Sequence, residues 1–163
     1  MSPSSPLLLF ANGPLAWGLA ACGVAQLAKL VVELVRHGRW RPAVLIETGG
    51  MPSSHSALVT GTAAAIGWEL GFDSALFALA STVAFVVMYD AAGVRRAAGT
   101  MAERLNALPS SEGLKPLKTS LGHSRLEVLV GGLLGPLVAL PGLLLVGSPL
   151  QLAQRLGWLP PLA

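Results

Sequence analysis

An all-α integral membrane bundle of about four spanning helices is the architecture that three observations predict. Charged residues make up only 12% of the chain and apolar residues 53%, where a soluble domain carries about 25% charge. Several stretches run for a full helix length almost without charge. The basic residues gather between those stretches, as in loops that flank a membrane. A chain of 163 residues is enough for one domain, and residues 1–163 are read as a single membrane domain. The mean hydropathy of +0.64 agrees with lipid as the solvent.

The first span is expected over 14–35. Pro14 suits a first helical turn, and Leu15 to Ala28 carries no charge. Gln26, Lys29, Glu33 and Arg36 then follow at steps of three, four and three. That spacing puts them on one face, and a polar stripe on an apolar helix should face the bundle interior. With no Lys or Arg after the start, the N-terminus lacks the positive region of a signal peptide. The first span is therefore expected to be retained. Cys22, the single cysteine, can form no intrachain disulfide and reads as a small packing residue.

A basic loop with Arg36, His37, Arg39 and Arg41 leads to the second span, 54–71, capped by Ser53 or Ser54. Ala57, Gly61 and Ala65 recur every four residues, which allows close helix contact in a membrane. A re-entrant path is the alternative for this weakly hydrophobic segment. The third span, 74–94, is uncharged up to Tyr89 and closes at Arg95-Arg96. A polar loop over 95–123 begins helically. The fourth span, 124–146, contains Pro136 and Pro141, which should bend it. A weakly structured tail is expected over 148–163.

Both basic loops fall on one side of a four-span chain, and the bias of Lys and Arg predicts that this side is cytoplasmic. The net charge of +3 is spread through these loops rather than over a basic tail or a base-stacking module, so no nucleic-acid partner is expected. An up-down path brings Lys29, Arg36, the turn before His55, Asp90, Arg95, Arg96, His123 and Glu127 to one end of the bundle. Cations and a free helix N-terminus suit a phosphate group. Two histidines can divide nucleophilic and acid roles, and Glu127 stands one helical turn from His123. Each residue also has a plainer reading: His55 as a cap, Arg95 and Arg96 as headgroup anchors, Lys29 as a snorkelling side chain. Their shared location favours a site.

Three segments carry a family resemblance: GGMPSSHSALVTG (49–61), MYDAAGVRRAAG (88–99) and LGHSRLEVLVGGLLG (121–135). The chain resembles, over roughly residues 14–146, the divergent branch of the type 2 phosphatidic acid phosphatases (PAP2), relatives of acid phosphatases and vanadium haloperoxidases. The resemblance implies a three-part phosphate site. Lys29 and Arg36 have the spacing of its first part, with His37 where a proline is usual. Pro52-Ser53-Ser54-His55 is similar to its Pro-Ser-Gly-His element, with Ser54 in place of glycine. His123 and Glu127 match the nucleophile and its carboxylate partner. The usual arginine six positions before that histidine is Leu117 here, and Lys118, Arg95 or Arg96 are the candidates to replace it.

The resemblance implies a phosphatase acting on a membrane lipid phosphate or diphosphate, with no metal and no cofactor. His123 is the expected nucleophile, His55 the acid and Glu127 the orienting carboxylate. Lys29, Arg36, Ser53, Ser54, Arg95, Arg96 and Lys118 are expected around the phosphate. A non-catalytic protein that binds phosphate or an anionic headgroup is the alternative. The expected location is a bacterial plasma membrane, with the motif end facing the cytoplasm.

Overall fold

The structure, a computed structural model, describes residues 6–45, 49–109 and 113–160. Among them are six α-helices: α1 (Gly13–His37), α2 (Ser54–Leu70), α3 (Ala75–Ala92), α4 (Val94–Asn106), α5 (Arg125–Leu145) and α6 (Pro149–Arg155). Short 3-10 turns lie at Pro6–Ala11 and Pro42–Leu45.

Local chemistry sets the helix ends. The Asn12 side chain caps α1 by accepting from the Leu15 amide, and Gly38, left-handed at φ 63°, terminates it. Ser53 caps α2 and Ser74 caps α3. Ser124 and Glu127 form a reciprocal capping box at the start of α5. Pro136 and Pro141 sit inside α5 without ending it. Gly93 separates α3 from α4, so the helix expected over 74–94 is interrupted after Ala92. The tail is more ordered than its composition suggests: Ser148 and Gln151 close a second capping box, and this starts α6.

Three hydrogen bonds define the up-down order. Trp17 Nε1 donates to the Gly147 carbonyl at 2.8 Å, which joins the start of α1 to the end of α5. The Ser53 amide donates to the Glu127 carbonyl at 3.0 Å, and the His123 amide to the Ala91 carbonyl at 2.9 Å. The starts of α2 and α5 and the end of α3 therefore share one end of the bundle, as the sequence predicts.

α2 is the central helix, packed against α1, α3 and α5. Its Ala57, Gly61 and Ala65 are buried, and Ala21 and Ala25 of α1 meet it. The close approach is specific at Gly131: a Cβ there would run into the backbone carbonyl of Ser53. Small residues thus let α5 lie directly on the N-terminus of α2.

The outer surface is apolar. Leu27 and Val31 on α1, Leu79 and Phe85 on α3, and Leu133 and Leu137 on α5 are all exposed, an arrangement suited to lipid rather than water. Three helical stretches, Gly13–His37, Ala75–Asn106 and Arg125–Arg155, are long and apolar enough to cross a membrane. At 17 residues, α2 lies at the short end of the spanning range of about 17–25. The chain is an integral membrane helical bundle.

Candidate functional site

Two cavities meet at the end of the bundle where the polar residues collect. The larger, about 350 Å³, is lined by Lys29, Glu33 and Arg36 of α1, by Arg41, and by Glu127 of α5. The smaller, about 20 Å³, is lined by His55, His123 and Arg95 together with Val87 and Ala91. Gly49 and Gly122 belong to the walls of both. The smaller chamber has room for about one water.

His123 is only 6% exposed. Its Nδ1 lies 3.4 Å from Glu127 Oε2. That is ion-pair range for a protonated ring but long for a hydrogen bond, and Nδ1 has no hydrogen-bond partner among the described residues. Burial pushes the imidazole below its ordinary pKa, opposed by the Glu127 carboxylate and reinforced by the Lys29 charge. The same Glu127 oxygen accepts from the Ser124 amide at 2.8 Å, so the capping box holds the carboxylate beside the ring.

The cations differ in how they are held. Lys29 is buried, 6% exposed, and makes no hydrogen bond or ion pair among the described residues. An unpaired buried ammonium is costly, and Lys29 lines the larger chamber. Arg36 touches Met51 Sδ at 4.0 Å. Arg95 is fixed through Nε to Asp90 Oδ2 at 2.6 Å. Glu33, on the same chamber, engages His37 at 3.2 Å and Arg41 at 3.9 Å. The fourth member of the α1 stripe, Gln26, donates to the Leu45 carbonyl at 2.9 Å and ties the 42–45 turn to α1.

Ser53 and Ser54 are buried at the start of α2. The Ser53 hydroxyl oxygen accepts from the Ser56 amide and hydroxyl, at 3.3 and 2.9 Å. Arg96 and Lys118 are exposed and line neither chamber. Gly49 and Gly122 stand inside the quoted motifs, yet nothing in the sequence marks them as a dividing wall. Both adopt positive φ, 94° and 77°, and a Cβ on Gly122 would strike the Arg96 amide. Only glycine fits there. Among the described residues no three His, Cys, Asp or Glu side chains converge as a metal-ligand set.

A membrane bundle with a buried histidine and lysine and a half-buried carboxylate at one end of antiparallel helices defines a class of membrane protein with a polar site at the end of its bundle. Residues 10–138 match the Divergent PAP2 family, and the chain belongs to it. It is similar to the uncharacterized membrane protein YuiD of Bacillus subtilis (strain 168), with 38% identity over 149 residues, 81% of this chain and 94% of that relative. No solved structure matches.

Proposed function

We propose that this protein is a phosphatase of a bacterial inner membrane, with the site facing the cytoplasm, that hydrolyses a lipid phosphate or diphosphate through a phosphohistidine. The observation that carries the reading is the buried His123 beside Glu127, sharing a small chamber with His55 and Arg95. The His123 ring nitrogen remote from Glu127 attacks phosphorus, and the bond from phosphorus to the leaving oxygen breaks. His55 gives that oxygen its proton. Water then attacks the phosphohistidine, its proton passes to His55, and phosphate departs with His123 restored. Glu127 steadies the ring as positive charge develops. Lys29, Arg36 and Arg95 neutralise the phosphoryl oxygens, with the amides at the start of α2 near Ser53 and Ser54 as further donors. Arg96 and Lys118 act at longer range, through the positive field of the loops.

A phosphoryl group is larger than the histidine chamber of about 20 Å³. The mechanism therefore requires the two chambers to merge when substrate enters, with the contact of Gly49 and Gly122 as the moving wall. The small size of that chamber also favours a second reading, a protein that holds an anionic headgroup in the larger chamber without turning it over.

The deciding experiment is phosphate release from several lipid phosphates by purified protein in detergent. Release abolished in His123→Ala, together with an acid-labile, alkali-stable phosphoryl label that forms on the wild type and not on that variant, supports the mechanism. Release unchanged in His123→Ala overturns the assignment of the nucleophile. Saturable binding without release in the wild type selects the second reading.

A further inference from the structure

The α2–α3 seam holds an apolar groove of about 380 Å³, with Thr60, Ala63 and Ala64 on one wall and Phe77, Ser81 and Ala84 on the other. Its α3 wall has a regular register. Phe77, Ser81, Ala84, Met88 and Ala91 follow at steps of four, three, four and three, one face of the helix. The first four line the groove, and Ala91 lines the histidine chamber. The stripe thus runs from groove to site without a break. Met88 stands at the junction, packed toward α5, where a Cβ on Gly132 would lie 3.1 Å from its Cε. Phe72 and Phe77 close the other end, ring centroids 5.1 Å apart and edge to face at 84°.

We propose that this groove binds one hydrocarbon chain of the lipid phosphate whose head occupies the histidine site, so that the substrate is a long-chain amphiphile read along α3. The proposal rests on the phosphatase reading for the head and on separate observations for the tail. The groove is lined mainly by apolar side chains, with the hydroxyl residues Thr60 and Ser81 among them, and the α3 stripe leads from it to a chamber bearing Arg95 and two histidines, which matches an anionic head on an apolar tail. From Met88 to Phe77 is eleven residues, about 16 Å at ~1.5 Å per residue. That is close to one leaflet, half of a hydrocarbon core about 30 Å thick. The Phe72–Phe77 pair sits where the tip of such a chain ends and limits its length.

The test uses full-length protein in phosphatidylcholine nanodiscs with a long-chain alkyl phosphate carrying a diazirine at its tail. After irradiation, the labelled peptides are mapped by mass spectrometry. Labelling is expected at 72–81 and is expected to fall at least tenfold in Ser81→Trp, which fills the groove. Val83→Trp, on the exposed side of α3, keeps it. The ratio of long-chain to short-chain alkyl phosphate hydrolysis falls in the same Ser81→Trp protein. Labelling spread evenly over the outer faces of α1, α3 and α5 overturns the groove even if phosphate is released. A chain-to-chain crosslink through Ser81→Cys without lipid labelling also overturns it, because a second copy then covers the seam. Groove labelling without release from any lipid leaves the groove standing and removes the phosphatase reading.

Discussion

Glu127 Oε2 lies 3.4 Å from His123 Nδ1 and also accepts a hydrogen bond from the Ser124 amide. One carboxylate oxygen therefore starts a helix and faces the buried imidazole, so its structural and chemical contributions must be separated by substitution. Glu127→Gln keeps an oxygen that can accept from the Ser124 amide but removes the charge. Its thermal unfolding is expected to stay close to wild type, while phosphate release drops at least tenfold. Glu127→Ala loses the cap as well, and should cost a further stability of about 0.5–2 kcal/mol. Equal activity of Glu127→Gln and wild type would remove Glu127 from the mechanism.

Burial lowers the pKa of His123. The unfolded ring, near 6.5, then binds protons more readily than the folded one, so stability from this group is present above about 6.5 and is lost as pH falls toward the folded value. The nucleophile likewise stays unprotonated at neutral pH. The acid limb of the rate profile is expected below about pH 6.5. In Glu127→Gln, which removes the opposing carboxylate, that limb should move to still lower pH. A limb that moves upward contradicts the electrostatic account.

Lys29 is buried without an ion-pair partner. Lys29→Met should therefore preserve or raise the melting temperature while weakening phosphate or vanadate binding at least tenfold, about 1.4 kcal/mol. Isothermal titration and a thermal scan on the same preparation check both halves. A protein that loses stability but binds the anion normally would show that Lys29 is structural.

The wall between the chambers depends on Gly122, whose φ of 77° and contact with the Arg96 backbone leave no room for a side chain. Gly122→Ala is expected to destabilise by more than about 1 kcal/mol. Its amide exchange should rise first in the 119–123 segment and the start of α4, with the α2–α5 seam unaffected. Faster exchange confined to α2 would place the strain elsewhere.

Hydropathy, the four-residue spacing of Ala57, Gly61 and Ala65, and the serine caps were enough to read an all-helical membrane bundle with its polar residues at one end. These signals are local: each depends on residues within a few turns of one another. They also predicted the inward-facing stripe on α1, where Lys29 is indeed buried and Arg36 lines the larger chamber. The four-residue separation of His123 and Glu127 suggested their meeting, but His123 precedes the Ser124 cap of α5, and the capping box that folds Glu127 back is what holds the carboxylate beside the ring. Other features depend on residues far apart in the chain. The tail composition hid α6, because its start rests on a capping box rather than on apolar periodicity. The partition of the polar end into a cation chamber and a histidine chamber arises where the loop at Gly49 touches the loop at Gly122, 73 positions later. The exposed positions of Arg96 and Lys118 depend in the same way on how α4 and the 113–123 segment pack. Sequence pattern determined the four long helices and which ends they share; tertiary packing decided how the charges at that end are divided between two chambers, because a glycine contact between distant loops leaves no periodic trace in either one.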